Sequence, residues 1–304
     1  MVKVIGVGDN VVDIYLHTGL MYPGGNALNF SVYAKQSGIE SSYLGVFGKD
    51  AAGNHIVSVL EDLDIDISRC RFEEGENGRS TIDIIDGDRQ ISEDNYGGVS
   101  RDFPIILDQE DLDYIRKFDA VHTSIYSYME DEIKKIKDIG VLLSFDFSDL
   151  WNEDYLNNVC PYIDISLLSC GSLEREEVER VLKYITNLGN KLVIATMGKK
   201  GVIIYNGRKF YEKPPYNLGG KIVDTLGAGD SFLTGFMIAY IEGKKNFNNV
   251  LNSNKSLKLP EYDEMDFEDL LIEYSMSRGN ILAAKTCMVD GAFGYGRKIS
   301  DELL

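Results

Sequence analysis

The chain has 304 residues, 44% of them hydrophobic, and a formal net charge of −18. That length suits one large α/β domain or two smaller ones, with enough apolar residues for a substantial core. The acidity argues against nucleic acid and anionic membranes as partners, but not against a small anion held locally by backbone amides.

No apolar run approaches the roughly 20 residues that span a bilayer, and the opening MVKVIGVGDN carries too short an apolar run for a signal peptide. A soluble, cytoplasmic protein is the expectation. KVIGVG reads as a buried strand, and GGNALNFSVYAKQSG over 24–38 as a helix with apolar Leu28, Phe30, Val32 and Tyr33 and with Gly38 as C-cap. SYLGVFG is a strand, and AAGNHIVSVLEDLD a helix with Ile56, Val59, Leu60 and Leu63 on one side. The stretch 78–98 alternates apolar and polar residues around the turn pair Asp86-Gly87, with Ile82, Ile84 and Ile91 on one face. It reads as an antiparallel flap outside the main sheet. AVHTSI, VLLSFDF, DISLLS and KLVIATMG follow as strands, separated by helical segments such as SLEREEVERVLKYITNLG. Residues 244–270, rich in Asn, Lys and Ser and then acidic, read as a surface insertion. Strand–helix alternation of this kind predicts a mainly parallel sheet with helices on both faces, in one domain over 1–304.

Several chemistries are disfavoured by what is missing. The four cysteines (Cys70, Cys160, Cys170, Cys287) form no CxxC pair, and His17, His55 and His122 are scattered, so neither a zinc site nor a disulfide scaffold is expected. The GxxxxGK[ST] loop is absent. The dinucleotide pattern beginning at Gly6 has Val11 in place of its third glycine and no helix directly after it. The protein-kinase HRD and DFG motifs and the GxSxG elbow of serine hydrolases are also missing.

What remains is DTLGAGDSF over 224–232, running into SFLTGFMIAYIEG. A run of small residues at a helix N-terminus offers free amides to an anion. Asp230 stands at its mouth. Alone it reads as an N-cap; beside a transferring phosphoryl group it could take the proton from an attacking hydroxyl. The helix is rich in apolar residues (Phe232, Leu233, Phe236, Met237, Tyr240, Ile241), so a buried helix end without an anion would be costly.

DTLGAGDSF resembles the C-terminal signature of the PfkB/ribokinase family of sugar kinases, and Gly24-Gly25-Asn26-Ala27-Leu28-Asn29 running to Gly38 resembles its N-terminal signature. The two stand in the right order about 200 residues apart. The resemblance covers nearly the whole chain and implies a ribokinase-like three-layer α/β/α fold, with a mainly parallel central sheet and a small antiparallel β lid over roughly 11–22 and 78–100. It implies Asp230 as catalytic base and Gly227, Ala228 and Gly229 as anion hole. Asp9, Asp13, Gly24, Gly25 and Asn29 would meet the sugar. Thr196, Gly198 and Gly201 would lie near the phosphates and ribose of ATP, Asn280 and Ala284 near adenine, and Asp224 with Thr225 beside a monovalent-cation site that K⁺ would suit. Mg²⁺ is implied, but the family's NxxE motif is altered: Ser169 and Ser172 stand where Asn and Glu are expected, with Glu174 nearby. Its metal ligands therefore stay unassigned. A homodimer through the lid is a further implication.

Gly8 to Tyr15, the Gly24-Gly25-Asn26-Ala27 run and Asp146-Phe147-Ser148-Asp149 are similar to the fructoselysine 6-kinases, which phosphorylate the 6-hydroxyl of a fructose linked to an amino acid. Such a substrate has a secondary ammonium, which Asp9, Asp13 and Glu93 or Asp94 would suit, and a tail carboxylate, which Arg89 would suit. A fructokinase or ribokinase acting on a plain sugar, an inactive sugar-binding sensor, and more distantly a nicotinamide oxidoreductase are the alternatives.

Overall fold

The computed structural model describes residues 1–85, 88–253, 264–300 and 303. The chain opens with β1 (Lys3–Gly8), β2 (Val11–Tyr15) and β3 (Leu20–Gly24), then α1 (Asn26–Gln36), β4 (Glu40–Gly48), α2 (Ala51–Asp62) and β5 (Arg71–Glu73). The strands β6 (Gly78–Ile85) and β7 (Asp88–Asp94) follow, then α3 (Val99–Asp102), α4 (Gln109–Ile115), β8 (Ala120–Ser124), α5 (Ile133–Asp138) and β9 (Leu142–Asp146). Next come α6 (Glu153–Val159), β10 (Ile165–Ser169), α7 (Arg175–Asn187), β11 (Leu192–Thr196), β12 (Val202–Tyr205) and β13 (Phe210–Lys213). Two long helices, α8 (Ala228–Ser253) and α9 (Glu264–Thr286), and the short β14 (Arg297–Lys298) complete the order.

Nine strands form one sheet in the order β13-β12-β11-β10-β9-β8-β1-β4-β5. It is parallel from β5 to β11; β12 and β13 are added antiparallel at one edge. Strands buried on both faces read as continuous apolar runs, as parallel sheets demand. On one face Ile115, Ile133, Leu156, Val178, Leu182 and Ile185 from α4 to α7 pack on Val121, Leu143 and Val193. On the other, Phe30 of α1, Phe236 of α8 and Met276 of α9 pack on Val4, Ile165 and Ile194. These are the three layers expected.

Local chemistry sets the helix ends. Asp50 caps α2 through Oδ1, which accepts from Gly53 N at 2.8 Å. The α1 terminus closes as a Schellman motif, with Ile39 N on Ala34 O at 3.0 Å and Gly38 N on Lys35 O at 2.9 Å. The expected Gly38 stop is therefore present.

A second sheet has the order β14-β3-β2-β6-β7. Its pairings are antiparallel except β2 with β6, which run parallel. Ile82, Tyr15 and Tyr22 bury a small apolar cluster on it. The turn pair Asp86-Gly87 and the side chains of Ile84, Arg89 and Ile91 lie outside the described residues. The stretch 244–270 begins as the end of α8 and finishes within α9; 254–263 lie outside the described residues. No helix among the described residues is long and apolar enough to cross a membrane.

Candidate active site

The carboxyl ends of β1 and β9 meet the N-termini of α1 and α8. Open parallel sheets place ligands at this end. Gly25, at φ 112°, precedes α1, and a Cβ there would come within 2.8 Å of Asn10 Cα and Asp9 O. Only glycine lets the chain turn this close to the end of β1. Asp9 then anchors the helix: Oδ2 accepts from Asn26 N at 2.6 Å, and Oδ1 from Ala27 N at 3.2 Å and from the Ser124 and Ser127 hydroxyls at 2.8 Å each. A carboxylate here satisfies orphan amides and complements the helix dipole. The sequence pointed Asp9 at the substrate; its four bonds go to the protein itself.

Asp230 is where sequence and structure part in detail. It is not the N-cap. The helix begins at Ala228, and Ser231 N bonds Gly227 O at 2.9 Å, which puts Asp230 in the first turn. Its side chain is buried and accepts from Asn29 Nδ2 at 2.7 Å. Gly227, at φ 70°, makes the turn into the helix; a Cβ there would lie 2.2 Å from Tyr33 Oη. The Ala228 amide engages Thr225 O at 3.3 Å, and a Cβ on Gly229 would meet nothing within 4 Å. The helix end is open on its Gly229 side.

Burial raises the Asp230 carboxyl well above the usual carboxylate range; the Asp146 charge adds to this, the Asn29 bond opposes it, and Asp9 and Asp13 push further up. Asp146, the last residue of β9, is likewise pushed up to about 6, by burial first and by Asp9 and Asp149 as well, against hydrogen bonds from Ser148 and Asn26. Its Oδ1 accepts from Ser148 N and its Oδ2 from Asn26 Nδ2, both at 2.7 Å. In the sequence Asp146 stands out only as part of a motif; its signal is its place at the end of a buried strand. A buried carboxylate of raised basicity beside a helix N-terminus can receive a proton while the amides receive an anion.

Asn29 is 4% exposed, and its Oδ1 has no hydrogen-bond partner among the described residues. That acceptor suits a ligand donor. Asp13 is buried on β2, with its Oδ2 2.5 Å from where a Cβ on Gly24 would stand. Of the flap acids, Asp94 accepts from Ser80 Oγ at 3.0 Å, and Glu93 is exposed.

The residues expected around ATP form a second group. Thr196 ends β11 with Oγ1 on Leu168 O at 3.3 Å, and Gly198 opens a short 3-10 turn. Gly201 packs against Lys213 and Pro214, and Asn280 Nδ2 donates to Pro214 O at 2.9 Å. Asn280 is thus buried and ties α9 to the end of β13, and half-buried Ala284 lies one turn further on. A groove of about 510 Å³ lined by Glu174, Met197, Lys200, Lys213 and Pro214, among others, runs beside them. Asp224 Oδ1 accepts from Leu226 N at 2.8 Å and its Oδ2 from Gly291 N at 3.1 Å, which shapes the loop ahead of α8. His122 is held neutral: burial pushes it down to about 3, and its Nδ1 faces Ser144 Oγ at 2.9 Å. Among the described residues no group of three or more His, Cys, Asp or Glu is arranged to hold a metal ion.

The family model described as pfkB family carbohydrate kinase matches residues 1–247. The fructosamine kinase FrlD of Bacillus subtilis is 36% identical over 97% of this chain and 94% of its own. The fructoselysine 6-kinase of Shigella flexneri is 30% identical over 94% of this chain and 98% of its own. Among solved structures, the Arabidopsis thaliana ribokinase complexed with ribose and ATP superposes with a TM-score of 0.74 at 20% identity, over 97% of this chain and 95% of that one.

Proposed function

Since the chain belongs to the pfkB family of carbohydrate kinases and is a sugar kinase, we propose that it transfers the γ-phosphate of ATP to the 6-hydroxyl of a fructosyl-amino acid such as fructoselysine. The observation that carries this reading is the placement of Asp230. It is a buried carboxylate of raised basicity in the first turn of α8, held by Asn29 from the other signature. In this reading Asp230 accepts the hydroxyl proton as the oxygen attacks. The first-turn amides of α8 receive the phosphoryl oxygens, and the repulsion that a fixed carboxylate would cause falls as it gains the proton. Asn29 Oδ1 accepts a sugar hydroxyl, with Asp13, Gly24 and Gly25 along the same wall. The buried acids Asp146 and Asp13 favour an ammonium-bearing substrate over a neutral one. The relatives named for fructosamine and fructoselysine support that choice.

The residues present fit ATP: the open end of α8 suits its phosphates, and the Thr196, Gly201 and Asn280 region borders a groove of nucleotide size. Mg²⁺, when bound, would neutralise phosphate charge. With Ser169 exposed where the family's Asn is expected, it would be held chiefly through the nucleotide. K⁺ would sit by Asp224 and Thr225. The second sheet would act as the lid that excludes water, and its outer face would pack against a second copy.

The test is an ATP-coupled assay on fructosyl-lysine, other fructosyl-amino acids, fructose and ribose, with and without K⁺, and NMR location of the phosphate. A fructosyl-amino acid phosphorylated at C6 with the highest kcat/KM is expected. Equal turnover of fructose would remove the amine specificity, and binding without turnover of any acceptor would favour a sensor.

A further inference from the structure

Tyr15 closes β2 in the second sheet, and its ring is set there by Tyr22, edge-on at 5.2 Å and 76°. Both rings are 6% exposed. The Tyr15 hydroxyl reaches out of that sheet. Its Oη donates a 2.6 Å hydrogen bond to Asp224 Oδ2, across 209 residues of sequence.

Asp224 is a junction. Its carboxylate also accepts from Leu226 N and Gly291 N, so it fixes the turn that leads through Gly227 into α8. The next contact repeats the pattern: Tyr33 Oη, against which Gly227 packs, donates to Ala292 O at 2.5 Å. The Tyr15–Asp224 bond is short and buried, and so strongly directional. Any displacement of β2 therefore moves the phenol that holds the 224–227 turn, and with it the first-turn amides of α8.

We propose that Tyr15 is a positioning residue for phosphoryl transfer: through Asp224 it holds the anion-binding end of α8 in register with the sugar-side sheet. The catalytic consequence rests on the kinase reading above; the mechanical link rests on the geometry alone. The sheet nearest the acceptor and the loop nearest the phosphate then behave as one body, so that misplacement of the first lowers turnover at the second.

Tyr15→Phe tests this, because it keeps the ring on Tyr22 and removes only the hydroxyl. Hydrogen exchange of the unliganded protein is read first, and it needs no substrate. Amides in peptides over 224–229 and 291–292 are expected to exchange about tenfold faster than in the parent, while those of α2 and α7 are unchanged and report an intact fold. Unaltered exchange at 224–229 would overturn the proposal. Should Tyr15→Phe fold poorly, Asp224→Asn, which weakens the Tyr15 bond together with those from Leu226 N and Gly291 N, is expected to give at least the same local change, and its absence there would overturn the proposal equally. Steady-state kinetics give the second readout: kcat is expected to fall about tenfold, with KM for the sugar within about twofold. A change confined to the sugar KM would count against the positioning role. A parent protein that turned over no acceptor would defeat the kinase reading and leave the exchange result standing.

Discussion

Asn29 donates its side-chain N–H to Asp230 Oδ2 at 2.7 Å, and so joins two glycine-rich signatures 201 positions apart in sequence. The bond is buried, and Asn29 Oδ1, beside the carboxylate, is left without a hydrogen-bond partner among the described residues. One amide thus orients the proposed base and presents an acceptor to the group whose proton that base would take.

Asp230→Asn is expected to lower kcat by roughly 10²–10⁴ with sugar affinity largely kept, the usual size for loss of a general base. Because Asp230 is within the first turn and not the cap, the variant keeps the entry turn at Gly227 and loses only a charge–dipole interaction at the helix end. It removes a buried charge whose carboxyl is already forced upward in pKa, so its urea midpoint should equal or exceed the parent's. Near-normal turnover in a coupled assay would end the assignment.

Gly229→Ala separates fold from function. Beyond its chain neighbours and its own helix backbone, a Cβ there would meet no described residue within 4 Å, and alanine in a helix interior is favoured by roughly 0.8–1 kcal/mol over glycine. Stability should rise or hold while kcat falls, since the methyl stands where phosphate would approach. Gly227→Ala should do the opposite to stability. Its φ of 70° and the Tyr33 hydroxyl at 2.2 Å from a new Cβ should cost roughly 1–3 kcal/mol in urea unfolding.

Asp146 gives a pH dependence with a definite sign. Its carboxyl is raised to about 6 in the folded protein from an ordinary 3.8, so the folded state holds its proton more tightly than the unfolded one. The favourable contribution is complete below about pH 4 and is lost as the pH climbs through about 6. Two units correspond to about 3 kcal/mol. Asp146→Asn should flatten stability between pH 4 and 7 in urea titrations. It should also lower the acid limb of kcat/KM, because the Asp146 charge is one of the causes that raise Asp230. An unmoved acid limb would mean that the two carboxyls do not interact.

Asp9→Asn should act mainly on stability. Four donors converge on the Asp9 carboxylate, and an amide would present N–H to some of them. A loss of about 2 kcal/mol in urea unfolding is expected. An unchanged midpoint with a raised sugar KM would instead restore the substrate role that the sequence suggested.

The legible parts of this chain were those fixed by local pattern. Alternating apolar runs gave the central sheet and its helices, and Gly38 marked the end of α1 because a left-handed residue must follow that helix. The two signatures are visible as strings, and the resemblance implies a sugar contact for Asn29 and a base in Asp230, but the bond between the two comes only from the fold. Position within a turn was less visible: Gly227, not Asp230, makes the entry into α8, because nothing local distinguishes a glycine at the cap from one in the first turn. Asp146 and the anchoring role of Asp9 depend on which elements converge at one end of the sheet, and periodicity does not encode that. The parallel pairing of β2 with β6 escaped for the same reason, since only tertiary contact brings 11–15 beside 78–82.

The position of β1 between β4 and β8 carries a consequence for how the chain is made. β1 lies in the interior of the nine-stranded sheet, and one of its neighbours follows it in the chain only at residues 120–122. The second sheet waits longer still for its last edge, at 297–298. A nascent chain therefore carries β1 half-paired, on β4 alone, while the residues between 48 and 120 are made. Such non-local pairing slows folding and exposes sticky edges. Lower growth temperature and added chaperones should therefore raise the yield of folded protein.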